Sequence, residues 1–266
     1  MTAAGRAQDP RGRTPAPLRL VSYNIRFGGG RRVAFIGGVL ASLEPDLVLL
    51  QEATDPDAVD HIARTAGLRH VYRRPGWSVA ALAREPLRGH AWHRPGRARG
   101  FLEVNPAGEP RVRVLGLHLP AGLSSRGERA RLRSVESMLD WAGGTADDST
   151  MLVGDLNSVA RGDVPLVAAM PLWLRLLLRF DGGIRTDVQD RLATAGWVDA
   201  FRHLHPADPG FTLPAFAPQV RLDYVLVPRP LLASVLACAP AADAALAARA
   251  SDHLPLVAVL GTPPAA

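Results

Sequence analysis

Six short apolar runs in this chain each meet a polar side chain at one end, and no other feature constrains its fold as strongly. Residues 151–153 lead through Gly154 to Asp155 and Asn157. Residues 18–23 stop at Asn24, 45–51 at Glu52 and 112–117 at His118. Asp223 opens the run that continues to Val227, and Ser251-Asp252-His253 stands just before 254–260. Short continuous apolar runs bounded by turn residues read as buried strands. Side chains alternate along an extended chain, so Asp155 and Asn157 are expected to leave the strand end on the same side.

The polar set is Asn24, Glu52, His118, Asp155, Asn157, Asp223, Asp252 and His253. Carboxylate and carboxamide oxygens in this mix suit a hard cation, Mg²⁺ above all. Two histidines suit proton transfer near neutral pH. There is no cysteine cluster and no His-Glu-x-x-His, which argues against zinc. Singly, most of these residues have plainer explanations: Asn24 a strand-end turn, His118 a structural histidine, Asp223 a strand-start carboxylate, Asp252 a cap, and Arg26 a surface residue. Glu52 is harder to dismiss, because a charge at the end of a buried run needs a partner.

The 266 residues suffice for one large domain, and the motifs run nearly from end to end. Cys238 stands alone, so an internal disulfide is excluded. Residues 1–17 lack the apolar core of a signal peptide, and no run is long enough for a transmembrane helix. A cytoplasmic protein is expected, with peripheral membrane contact as its closest approach to lipid. All 31 basic residues are arginine, a compositional bias as much as a binding surface. Residues 1–32 hold seven of them and one acid, which equals the net charge of +6. Residues 1–17 therefore read as a disordered basic arm, 18–261 as a single domain, and 262–266 as a tail.

Helices are expected over 31–43, weakened by Gly37 and Gly38, and over 55–66, 125–142 and 186–195. Ser125-Arg-Gly-Glu128 has the pattern of a capping box. A strand is expected over 77–83 and a hairpin around Asn105-Pro-Ala-Gly108. Alternation of strands and helices makes this an α/β protein. Two segments stand apart. Residues 84–99 hold five arginines, two histidines and Trp92 against Glu85 alone, and read as a solvated loop before a phosphate-contact surface. Residues 164–180 are strongly apolar, with Arg175 and Arg179 four apart. A helix packed on the core is the plainer expectation, and an interfacial membrane helix over 172–180 the alternative.

The motifs Ser22-Tyr-Asn24-Ile-Arg26, Leu50-Gln-Glu52, Gly116-Leu-His118, Gly154-Asp155-Leu-Asn157, Arg221-Leu-Asp223-Tyr224 and Ser251-Asp252-His253 resemble, in order and spacing, those of the endonuclease/exonuclease/phosphatase superfamily, which is DNase I-like. The resemblance implies two packed β-sheets flanked by helices, a four-layer α/β-sandwich with its site at one end. It implies a metal-dependent phosphoester hydrolase, with Asn24, Glu52 and Asp252 holding Mg²⁺ or Mn²⁺. His118, Asp155, Asn157, Asp223 and His253 would be catalytic, with Asp223 orienting His253, and Arg26 would contact a substrate phosphate. Asn157 and His118 would bind phosphoryl oxygens, with protonation of the leaving oxygen as the alternative for His118, and either His253 or Asp155 would be the general base. The first substrate expectation is nucleic acid, cut by a monomer. The alternatives are a phospholipid or sphingomyelin, an inositol phosphate, and, in another class, an inactive binding module. Gly210-Phe-Thr-Leu-Pro214 lacks the tryptophan pair of the abasic-site enzymes, which points away from abasic-site repair.

Overall fold

The computed structural model describes residues 16–261 except 97, 123, 242 and 243, so nearly all of the expected arm and the whole of the expected tail lie outside the described residues. In chain order the elements are β1 (Leu18–Asn24), α1 (Val33–Leu43), β2 (Leu47–Gln51), α2 (Pro56–Thr65), β3 (His70–Tyr72), β4 (Val79–Ala83), β5 (Gly89–His93), β6 (Phe101–Asn105) and β7 (Arg113–His118). There follow α3 (Ser125–Ala142), β8 (Thr150–Asp155), α4 (Leu172–Phe180), α5 (Asp187–Thr194), β9 (Trp197–Asp199), α6 (Ala200–Leu204), β10 (Asp223–Pro228), β11 (Val235–Pro240), α7 (Ala244–Ala250) and β12 (Leu256–Leu260).

The strands form two six-stranded sheets, ordered β11-β12-β1-β2-β4-β3 and β5-β6-β7-β8-β10-β9. Each has one parallel pair near its centre, β1 with β2 and β7 with β8, among antiparallel neighbours. The sheets pack face to face through Leu20, Leu49, Ala81, Val114, Val153 and Val225. Their outer faces are covered by helices, α1 and α2 over Val21, Tyr23 and Val48, and α3 and α5 over Leu115, Leu152 and Leu226. Strands buried on both faces must be apolar at every position. That is why β2 and β8 read as continuous runs, each such side chain adding about 1.5–3 kcal/mol on full burial.

Gly37 in α1 has a use that its helix propensity hides. A Cβ there would lie 2.4 Å from Cβ of Thr65, so its absence lets α1 lie close against α2.

Three expectations need correction. The segment 84–99 is not all loop, because it contains β5 at a sheet edge, where half-exposed residues need no apolar run. The capping residue of α3 is Ser124, whose side chain accepts from the backbone N–H of Gly127. Glu128 therefore does not close a capping box with Ser125; it is buried, paired with Arg131 at 2.7 Å, and accepts the N–H of Val188 at 2.9 Å. Finally, α4 is not a core helix. Only Leu178 of its nine residues is buried, while Leu172, Trp173, Leu176, Leu177 and Phe180 face solvent. Its apolar side chains spread over most of the circumference away from Arg175 and Arg179, so a single contact with the small cluster of Val159, Met170, Val220 and Leu222 covers only part of them. No described helix is long and apolar enough to cross a membrane.

Candidate active site

The polar residues at the strand ends meet at one end of the sandwich. Backbone register places His118, Asp155 and Asp223 in one row across β7, β8 and β10. Gly154 sets that row: at φ 147°, an added Cβ would stand 1.9 Å from the carbonyl oxygen of Leu117, so only glycine permits this approach of β8 to β7. Asn24 ends β1 level with Gln51, and Glu52 follows at φ 56°.

Asn24 joins the two sheets. Its Nδ2 donates to Asp155 at 2.9 Å, from 131 residues away in sequence, and to Glu52 at 3.2 Å. Its Oδ1 accepts the N–H of Arg26 at 2.9 Å, and Glu52 accepts the N–H of Phe27 at 2.6 Å. Asp155 accepts further from the backbone N–H of Asn157 at 2.9 Å and from its Nδ2 at 3.1 Å. The strand ends at Asp155, so Asn157 reaches it through a left-handed turn at φ 49° and not by strand alternation. The second hydrogen of Asn157 Nδ2 goes to the carbonyl of Leu119 at 3.1 Å. Both amide hydrogens of Asn157 are thus committed within the protein.

His253 Nδ1 lies 2.8 Å from Asp223, and its Nε2 lies 3.9 Å from Asp155. Asp252 is less central: Arg26 pairs with it at 3.3 Å, the arginine half-exposed at the rim. Ser251, to which sequence reasoning assigned no role, donates to the carbonyl of Asn24 at 2.6 Å and receives the N–H of His253 at 3.4 Å. Its adjacency to Asp252 and His253 was the available signal. Arg221 is likewise buried beneath the site, where it pairs with Asp163 at 2.9 Å and Asp199 at 2.6 Å. Nothing in the spacing of Asp163 announces that partnership.

Strain gathers here as well. Arg26, Phe27, Glu52 and Asn157 hold positive φ; the other described non-glycine residue that does so, Glu44, caps α1. Each such residue costs on the order of 1–3 kcal/mol and persists only where its surroundings over-determine it.

The electrostatics separate the titratable groups. Complete burial raises the Asp155 carboxyl to about 7, against the opposing attraction of His253. Burial works against charge on His253, but the charges of Asp223 and Asp155 with the Asp223 hydrogen bond overcome it and raise the ring to about 10. Of this pair, His253 is therefore the group that holds its proton more firmly. Burial, reinforced by the charge of Arg99, lowers His118 to about 4 and keeps its ring neutral. Its Nδ1 and the Oδ1 of Asp223 are buried without a hydrogen-bond partner in the described structure. Asp155, Asp223 and His253 each present one ligand atom within 4.8 Å of the others, a spacing that could hold a metal ion.

The chain matches the model of the endonuclease/exonuclease/phosphatase family over residues 21–253. Among curated proteins none matches the sequence. Of solved structures, an AP endonuclease from Archaeoglobus fulgidus is similar at TM-score 0.71 and 20% identity, over 92% of this chain and all 100% of that one. A 3′ phosphatase, NExo, from Neisseria bound to product DNA hairpin is similar at TM-score 0.67 and 18% identity, over 92% and 100%. The 3′-5′ exonuclease (NExo) from Neisseria meningitidis is similar at TM-score 0.66 and 18% identity, over the same shares.

Proposed function

The chain belongs to the endonuclease/exonuclease/phosphatase family, and from that premise we propose that it is a divalent-cation-dependent phosphodiesterase acting on nucleic acid. The observation that carries this reading is the Asn24–Asp155 hydrogen bond, which ties the tips of both sheets into one buried polar centre.

The donors fit a hard cation, Mg²⁺ first and Mn²⁺ second. Glu52 with Asn24 and Asp252 is the set assigned to it. Asp223 and His253 are compactly placed, but their facing atoms are already engaged with each other, which favours a part in proton handling. Held there, a cation would supply Lewis-acid chemistry, offsetting charge on a phosphate oxygen and polarising the ester.

Asp155 serves as the general base. Three hydrogen bonds orient it, and its raised proton affinity suits it to accept a water proton near neutral pH. His253, charged and held by Asp223, stabilises the negative charge that grows on the phosphoryl oxygens. A neutral His118 is a hydrogen-bond donor to those oxygens and a poor acid for the leaving group. With its amide hydrogens committed, Asn157 orients Asp155 in place of binding phosphate. The half-exposed position of Arg26 at the rim, where it pairs with Asp252, supports a contact with a substrate phosphate.

Support for nucleic acid comes from Arg26 and from the similar structures, an AP endonuclease, a DNA-bound 3′ phosphatase and a 3′-5′ exonuclease. The exposed apolar α4, carrying Arg175 and Arg179, favours a second reading in which the phosphodiester belongs to a lipid and the protein sits on the membrane surface. The experiment is hydrolysis of plasmid, single-stranded DNA, RNA and sphingomyelin or phosphatidylinositol vesicles, with Mg²⁺ or EDTA. Nucleic-acid cleavage that requires Mg²⁺ and falls on the order of a hundredfold or more in Asp155→Ala and in His253→Ala is the expected result. Turnover of lipid alone would transfer the substrate to the second reading, and no metal-dependent turnover of any of them would leave a binding module.

A further inference from the structure

Beside His118 lies a cavity of about 650 Å³ that the chemistry above does not use. Arg94, Arg99 and Arg133 line it together with Gly100, Pro120 and Ser134, and no carboxylate does. Several arginines elsewhere pair with acids, as in Arg73–Asp60, Arg161–Asp190 and Arg191–Glu136. None of the three around the cavity has such a partner among the described residues.

The cavity is built, not merely left over between side chains. The guanidinium of Arg94 stacks 4.6 Å over the ring of Trp77. Gly100 packs so closely on that ring that a Cβ would meet it at 2.2 Å. The N–H of Arg99 donates to the buried Oγ of Ser134 at 3.3 Å, which fastens this loop to α3. Buried Arg131 braces another part of the lining by donating to the carbonyl of Pro120 at 2.9 Å. Pro120 follows His118 by two residues and the charge of Arg99 acts on the His118 ring, so the cavity adjoins the reaction centre. Three cations lining one concavity repel one another and attract a polyanion.

We propose that this cavity is a second phosphate subsite, which grips a nucleic-acid strand at a phosphate beside the one being cleaved. The inference rests on the nucleic-acid reading above and narrows it: the substrate is a strand, not an isolated phosphodiester. The charge on the three arginines would neutralise strand phosphates, and binding would be salt-dependent accordingly.

The test compares the wild type with Arg94→Gln/Arg133→Gln and with a control of equal charge, Arg69→Gln/Arg229→Gln, whose arginines are exposed and outside the cavity. Fluorescence anisotropy with a dye-labelled DNA 12-mer in EDTA reads binding without turnover. Hydrolysis of bis(p-nitrophenyl) phosphate with Mg²⁺ reads the reaction centre alone. The cavity variant is expected to bind the 12-mer at least about tenfold more weakly, with a salt slope shallower by roughly one per arginine removed. Its hydrolysis of the small diester should stay within about twofold of wild type, and the control should bind as wild type does. Equal loss of 12-mer binding in the control, or no loss in the cavity variant, would overturn the subsite. If the wild type failed to hydrolyse any phosphodiester, the reading of the reaction would fall, while the anisotropy comparison would still decide the cavity. Displacement of the 12-mer by an inositol polyphosphate at lower concentration than by an unlabelled strand would also overturn it, by giving the cavity to a compact polyanion.

Discussion

Strand β8 and helix α4 are both apolar runs, and their fates are opposite. Every residue of β8 is buried, whereas α4 buries Leu178 and exposes most of the rest. The difference lies in what each meets. β8 sits mid-sheet between β7 and β10 with a second sheet on one face and helices on the other, so each apolar side chain finds cover. α4 is nine residues hung on one small cluster, with more apolar surface than that cluster can accept. Apolarity predicts burial only where the topology supplies a partner for each face. Where it does not, exposed apolar surface signals an interaction.

The contrast can be broken in four ways, from the largest effect to the smallest. Gly154→Ala should be the most damaging. It puts a Cβ against the Leu117 carbonyl in a backbone conformation that alanine resists, at a cost of about 3 kcal/mol or more, read as a large fall in Tm or loss of folded protein. An alanine accepted there without loss would remove the argument that glycine sets the His118–Asp155–Asp223 row. Leu152→Ala, in the same strand, should cost about 2–5 kcal/mol in denaturant unfolding through the cavity it leaves.

The third effect concerns pH. The His253 ring is raised from 6.5 to about 10 by the carboxylates around it, once they overcome the cost of burial. A raised group contributes stability that is complete below its unfolded pKa and is lost as pH rises through the folded one. Asp155, raised to about 7, acts with the same sign but over a lower range, about 4 to 7. In EDTA, wild-type stability should therefore decline between pH 7 and 9, and His253→Gln should flatten that decline. Parallel curves for the two proteins would show that His253 carries no such charge. The smallest effect is the control for the whole comparison: Leu176→Ser in α4 should change unfolding free energy by no more than about 0.5 kcal/mol. A core-sized loss there would mean that α4 is covered after all.

Much of the fold could be read from the chain, because strands buried on both faces must be continuously apolar, and residues 47–50 of β2, 114–117 of β7, 151–153 of β8 and 224–227 of β10 are. Edge strand β5 was hidden among arginines because an edge need not be apolar. The polar tips were legible one by one, but the Asn24–Asp155 contact was not, since no local pattern reports a bond across 131 residues. The pairing of Asp155 with Asn157 was anticipated for an incomplete reason: alternation would have sufficed, and the molecule uses a left-handed turn. Glu128 resembled a capping partner because Ser124 and Ser125 stand side by side, and the sequence does not tell which of the two caps α3. The arginines of 84–99 could not be judged alone, because Arg133, which completes their cavity, lies on a different element.

The central claim is that the tips of the two sheets act as one reacting unit, and a double-mutant cycle tests it most directly. Hydrolysis of bis(p-nitrophenyl) phosphate would be measured for wild type, Asn24→Ala, Asp155→Ala and the double variant at saturating Mg²⁺. Residues that act as a unit are strongly non-additive. The double variant should therefore be within about threefold of Asp155→Ala alone in kcat/KM. If the two single losses multiplied in the double variant, the sheets would contribute independently and the single buried centre would be contradicted.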